Sequence, residues 1–394
     1  MNYHALGFVN LCIRLFIRYF KICKRMREEE LPYLLVLKKL PNIGDIRARE
    51  LLHKFGSAKE VFYALNANKH SQFGSILSKL TSKSLQVWLE EAKFEIDNFL
   101  KLGIKFIHIG EAAYPKRLKQ CIDAPILLFY RGNITWNSRK SISIVGTRSA
   151  TSYGLSFCKE LISELQLLDV QIISGLAYGI DIKAHLSAME NGLETVACLA
   201  HGLHTVYPSS HAKYAKEIQL NGGLVSEFPT YSTMEKSNFI KRNRIIAGLS
   251  HATVVIESAK RGGSLLTAEL ANSYNREVFA LPGRVGDIKS EGCNNLIKTN
   301  QARLIQSVAD LVYILNWDLE ELIEHKPIQT SLFIELTDEE EALYNIIKEK
   351  GKESLDLLAI EAAMSPQRAV VVLLGLELKG IIRPLPGKQF ELVR

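Results

Sequence analysis

Between residues 141 and about 315, short apolar runs alternate with longer amphipathic stretches. The runs are Ile142–Val145, Gln171–Ser174, Thr195–Leu199, Leu224–Ser226, Thr253–Ile256 and Glu277–Leu281. Helical periodicity separates most of them, as in Tyr153–Leu168 and Ile180–Asn191. Apolar runs of four to six residues joined by crossover helices predict an α/β fold with a Rossmann-like, doubly wound, mainly parallel sheet. Upstream, "IKFIHI" and "APILLFYRGN" read as two further strands flanking the turn "YPKRL".

Two other patterns flank this region. Residues 28–105 read as helical. In "LKKLPNIGDIRARELLHKFGSAKEVF", apolar residues at helical spacing lie on both sides of Pro41-Asn42-Ile43-Gly44. That is the form of a SAM or helix-hairpin-helix unit, whose turn can offer backbone N–H groups to a phosphate or can serve packing alone. Residues 316–336 read as a linker. Residues 337–394 then supply three helix candidates and a hairpin around Pro386-Gly387, with Ser365 as N-cap and Pro366 at the first helical position, which predicts a winged-helix-like domain. Its third helix, "AVVVLLGLEL", is almost entirely apolar. It is read as buried, and so as unfit to read a DNA groove. The sheet domain then spans 106–315.

In a parallel sheet the loops after the strands share one edge, where ligands bind. Those loops carry Gly146, Thr147 and Arg148; Ser174, Gly175 and Gly179 with Asp181; and Gly262, Gly263 and Ser264. The fourth strand leads through "SEFP" into "FIKRNRIIAGL", with Lys241, Arg242, Asn243 and Arg244. Glycines let the backbone approach an anion, and a following helix N-terminus favours negative charge. Three cations read as a helix start oppose the helix dipole, so an anion is expected to bind there. Asp181 and Glu257 read as capping or hydrogen-bonding carboxylates. His201, His204 and His211 read as loop or core histidines.

Composition narrows the choice of anion. The chain has 394 residues and a formal charge of +7, but residues 1–27 hold six cations and no acid, so the remainder is nearly neutral. Any anion site is therefore a local patch. The six cysteines form no CxxC pair, and no Cys/His spacing fits zinc, so buried thiols in a reducing cytoplasm and no metal or cofactor are expected. Neither GxGxxG nor a Walker A sequence occurs. The segment "LCIRLFIRYFKICKRM" is too interrupted by cations to span a membrane. It is read as an extension of unknown role, either an amphipathic surface helix or residues upstream of a start near Met26.

At "YPKRLKQCIDAPILLFYRGN", "SIVGTRSATSYG", "SGLAYGIDIKAH", "YPSSH", "GGLVSEFP", "FIKRNRIIAGLS", "GGSLLTAELA" and "EVFALPG…GCNNLI", the chain resembles the DprA/Smf (DNA-processing protein A) family. The resemblance implies a non-catalytic protein that binds single-stranded DNA, dimerises, and loads a RecA-type recombinase during natural transformation. It also implies a DNA pocket using Arg148 and the basic stretch Lys241, Arg242 and Arg244. Where the family often has Phe-Pro, this chain has Phe239-Ile240. Tyr153, Tyr178, Phe228 and Phe239 are candidate base-stacking residues. The alternative is a nucleotide or phosphoribosyl hydrolase, suggested by a faint likeness of "RGGSLLTAE" to PGGxGTxxE. A third possibility is an interaction scaffold carried by the tail domains.

Overall fold

A computed structural model describes residues 29–67, 82–317, 336–379, 381–385 and 389–392. The N-terminal extension, most of the expected linker and the Pro386-Gly387 turn lie outside these. The chain divides into two compact units, Met1–Leu322 and Ile323–Arg394.

The first unit opens with helix α1 (29–39), then α2 (Asp45–Phe55), α3 (Ala58–Asn66) and α4 (Ser82–Lys101). Next come β1 (Lys105–His108), α5 (Lys116–Gln120), β2 (Leu127–Gly132) and β3 (Ser141–Gly146). The alternating region follows: α6 (Ser152–Leu165), β4 (Gln171–Ser174), α7 (Ile180–Glu190), β5 (Thr195–Cys198), α8 (Ala212–Ile218) and β6 (Gly222–Ser226). It continues with α9 (Lys236–Leu249), β7 (Ala252–Ile256), α10 (Gly263–Ser273), β8 (Glu277–Ala280), α11 (Glu291–Lys298), β9 (Arg303–Leu304) and α12 (Val308–Leu315).

The strands form one sheet in the order β1-β2-β6-β5-β4-β3-β7-β8-β9. From β3 the chain winds one way through β4, β5 and β6, then returns to the other side of β3 for β7, β8 and β9. The sheet is thus doubly wound, with its switch point between β3 and β7. Pairing from β6 to β9 is parallel. The sheet is mainly parallel, as expected, with β2 antiparallel to both β1 and β6. Strand β6 starts two residues before its apolar run, because Gly222 and Gly223 pair with Thr195 and Val196 while adding no hydrophobic signal.

Alternate residues of each strand feed two cores. Ile142, Ile144, Ile172, Val254 and Ile256 pack with α6, α7 and α12. Val145, Ile173 and Val255 face a core shared with α9, α10 and the N-terminal helices, including Leu34, Leu35, Phe62, Phe99 and Ile245. Polar ties join the helical segment to the rest. Arg49 Nη1 donates to the carbonyls of Cys121 (2.6 Å) and Ile122 (2.9 Å), and the Thr230 amide donates to Glu95 (2.8 Å). Cys121, Cys158, Cys198 and Cys293 are buried free thiols, and burial pushes the last three up to about 12.

In the second unit, α13 (Asp338–Lys350), β10 (Lys352–Ser354), α14 (Leu355–Glu361), α15 (Pro366–Leu378), β11 (Ile382–Leu385) and β12 (Gln389–Leu392) form three helices and a sheet ordered β10-β12-β11. Ser365 caps α15 by accepting from the Arg368 amide at 3.3 Å. Helix α15 is not buried all round, contrary to its apolar sequence. Ala369, Val372, Leu373 and Leu376 face the core, whereas Val370, Val371 and Leu374 are about half exposed. Among the described residues, no single helix is long and apolar enough to cross a membrane.

Two histidines make this fold acid-sensitive. Burial, reinforced by the charges of Arg242 and His211, pushes His185 down to about 3. Burial and Arg117 push His251 down to about 4, against a backbone hydrogen bond with Ser141. Above about pH 6.5 each is neutral in both states. As pH falls toward 4 the unfolded chain binds protons that the folded chain refuses, so stability falls by up to about 1.4 kcal/mol per pH unit per histidine. Urea unfolding at pH 7, 6 and 5 is expected to show this decline. His185→Asn should flatten it, whatever its absolute stability.

Candidate nucleic-acid interface

At the switch point, a cleft of about 290 Å³ opens beyond the C-terminal ends of β3 and β7. Gly146, Thr147 and Arg148 line it from the loop after β3, and Ser258, Ala259, Gly262, Gly263 and Ser264 from the loop after β7. Helix α9 contributes Phe239, Ile240, Arg242, Asn243 and Ile246. Eight of the candidate residues thus meet on one surface.

The remaining five do not line this cleft. Ser174 is buried and its hydroxyl donates to the Ile144 carbonyl at 2.6 Å, a cross-strand tie. Gly175 and Gly179 shape the wall from behind. A Cβ on Gly175 would stand 2.4 Å from Arg242 Nη1 and 2.7 Å from Asp181 Oδ2. Gly179 has φ +77°, and a Cβ there would meet the Thr147 carbonyl at 2.2 Å. Such approaches are open only to glycine. Lys241 and Arg244 face the opposite side of α9, where a second cleft of about 840 Å³ lies against α2.

The basic stretch is therefore not one patch. It is also not a helix start, because α9 begins at Lys236 and the cations fall in its second and third turns. Ile240 permits this. Unlike proline it retains an N–H, so the helix can extend a full turn ahead of the arginines. Arg242 is 5% exposed, and its Nη1 donates to the carbonyls of Gly175 and Cys198, both at 2.6 Å. Its Nε donates to Asn243 Oδ1 at 3.2 Å. Burial pulls Arg242 below its usual range, opposed by Asp181. Burial likewise raises Asp181, opposed by Arg242. Arg242 forms the floor of the cleft.

Arg244, 9% exposed, bonds Asp45 Oδ2 at 2.7 Å and also Glu227. Burial disfavours its charge, but Glu227 and Asp45 outweigh that and raise it above the ordinary arginine range. Burial also opposes the Asp45 charge, but Lys38, Arg244 and the Ile126 amide together hold its carboxyl below the usual range. No acid lies near Arg244 in sequence, yet two reach it through the fold, so its anion is internal.

Arg148 is the exposed cation of the cleft. Its guanidinium sits 5.8 Å from the centroid of the Phe239 ring, and that of Arg242 sits 6.0 Å away. Tyr207 meets Phe239 edge-on at 5.9 Å and is 45% exposed, so it joins the aromatic surface although it was not among the sequence candidates. Tyr207 lies in the loop after β5, and that strand-end position was the signal that could have found it. Of the other aromatics, Tyr153 donates to the Pro282 carbonyl at 2.9 Å, Tyr178 bonds Ser210 at 3.1 Å, and Phe228 is buried. Glu257 is buried with φ +54° and accepts from both the amide (2.8 Å) and hydroxyl of Thr151, holding the loop that presents Arg148. His201, in a loop, and His211, at the end of a short 3-10 helix, are buried and each is bonded to a backbone carbonyl.

These features place the chain among Rossmann-like α/β proteins with a ligand crevice at the sheet switch point. Residues 105–316 match the DNA recombination-mediator protein A family, and the chain belongs to that family. It is 34% identical to DNA processing protein DprA of Streptococcus pneumoniae over 258 residues, covering 64% of this chain and 90% of that protein. Against protein Smf of Escherichia coli, identity is 36% over 336 residues, covering 84% of this chain and 86% of the other. An X-ray structure of the Streptococcus pneumoniae protein superposes with a TM-score of 0.53 and 30% identity, covering 69% of this chain and 98% of that one.

The pairing of Arg244 carries a stability prediction. Arg244→Met leaves two carboxylates, Glu227 buried and Asp45 largely so, with Lys38 3.8 and 3.9 Å away but without their shared guanidinium, and should cost about 3 kcal/mol. Adding Glu227→Gln and Asp45→Asn to the same chain should recover much of that loss in urea denaturation. A cost below about 1 kcal/mol for the single variant would remove Arg244 from the scaffold.

Proposed function

We propose that this chain is a non-catalytic, single-stranded DNA-binding mediator. It holds the strand at the switch-point cleft and hands it to a RecA-type recombinase, acting as a homodimer in the cytoplasm during DNA uptake. The carrying observation is the exposed Arg148 guanidinium poised over the Phe239 ring, above loops whose glycines admit a phosphodiester backbone. A cation for the phosphate and a ring for the base are what single-strand binding without sequence preference requires. Thr147, Asn243, Gly263 and Ser264 complete the polar lining, and Arg242 with Gly175 and Gly179 keeps its shape. The recombinase and dimer assignments rest on the family, whose description is that of a recombination mediator. The second unit is read as winged-helix-like.

The hydrolase reading has less support. Its motif ends on a carboxylate, here Glu269, which is exposed and outside the cleft lining. Leu266 occupies the cleft edge instead.

Binding of a fluorescent single-stranded oligonucleotide at two salt concentrations tests the proposal. Arg148→Ala should weaken binding about tenfold or more, the range of a charge-assisted hydrogen bond. It should also lower the slope of log affinity against log salt by about 0.7 for the phosphate released. Equal binding by a folded Arg148→Ala chain, or nucleotide turnover by the wild type, would overturn it.

A further inference from the structure

The switch-point cleft does not close on itself. Ile240, 55% exposed, lines both it and the larger cleft on the other side of α9. The larger cleft is walled by the Pro41–Gly44 turn and the start of α2, and by α9 with the loop after β6. Five cations line it, Lys38, Lys39, Arg47, Lys241 and Arg244, against three carboxylates, Asp45, Asp123 and Glu227.

The carboxylates are already committed. Asp45 and Glu227 serve Arg244, with Lys38 3.8 and 3.9 Å away, and Asp123 accepts from Tyr274 at 2.6 Å. The cations are less so. The Lys241 side chain is exposed and makes no hydrogen bond or ion pair among the described residues. Among the described residues, the exposed Arg47 side chain donates only to the Asn42 carbonyl, at 3.1 Å. Lys39 lies 4.4 Å from the Tyr231 ring centroid, and Tyr231 is 45% exposed. Lys39 also pairs with the half-exposed Glu91 at 2.7 Å, so the uncommitted charge of this cleft is that of Lys241 and Arg47, while the cation beside a ring repeats the geometry of Arg148 and Phe239.

We propose that single-stranded DNA leaving the first cleft crosses Ile240 and is held a second time. Its phosphates engage Lys241, Arg47 and Lys39, and a base stacks on Tyr231. The helical segment is then the second half of a continuous strand path. This rests on the single-strand reading of the first cleft, and it predicts a dependence on strand length that the first cleft alone does not.

The test uses the full chain and two oligothymidines, one of about 5 nucleotides and one of about 20, a range bracketing common single-strand site sizes. Lys39→Ala/Arg47→Ala removes the exposed Arg47 and the half-buried Lys39, whose side chain is 18% exposed and pairs with Glu91, so thermal unfolding first checks that the variant is folded. The double variant should bind the short strand like the wild type and the long strand several-fold more weakly, with a salt slope reduced by about 1.4 for two phosphates. Tyr231→Leu should show the same length dependence without the change in slope. Unchanged binding of the long strand by both variants overturns the second station, as does equal weakening on both lengths. If Arg148→Ala binds both strands like the wild type, the first reading fails instead, so the two failures are distinguishable.

Discussion

A guanidinium taken out of water must be given acceptors inside the protein, and helix α9 carries two of them, two residues apart. Arg242 and Arg244 therefore leave the helix in different directions. Arg242 turns toward the sheet and is held by the carbonyls of Gly175, just after β4, and Cys198, the last residue of β5. Arg244 turns toward the helical segment and is held by Asp45 and Glu227. Together they fix α9 between the sheet edge and α2. Both clefts inherit their shape from that placement, because α9 lines each of them.

With these two arginines consumed by the scaffold, external anions are left to the cations the fold does not use. Arg148 is exposed on a loop that Glu257 and Thr151 tie down, and Gly179 lets that loop lie against α7. Lys241 is exposed on the other side of the same helix. A phosphate meeting either does not have to compete with an internal carboxylate.

Much of the sheet was legible because a strand buried on both faces must be apolar throughout, and runs such as Ile142–Val145 and Thr253–Ile256 show it. Parallel winding places the loops after β3 and β7 at one edge, and the strand order makes them neighbours there. The reversed strand β2 was not legible, since "ILLFY" looks the same in either direction. The two-residue edge strand β9 has no apolar run to announce it. In α15 the sequence is apolar on every face, and only the packing shows which of its valines and leucines stay outside.

The stretch "KRNR" marks the division most clearly. Sequence alone determined that concentrated positive charge needs negative charge near it, and that glycine-rich loops gather at one edge of a parallel sheet. It also carried the ordered motifs that place the chain in its family. Only the tertiary structure decided whose negative charge each arginine receives. Asp45 lies 199 residues from Arg244 along the chain and 2.7 Å from it in space. Coulombic attraction acts over distance in space, and distance in space is what folding creates.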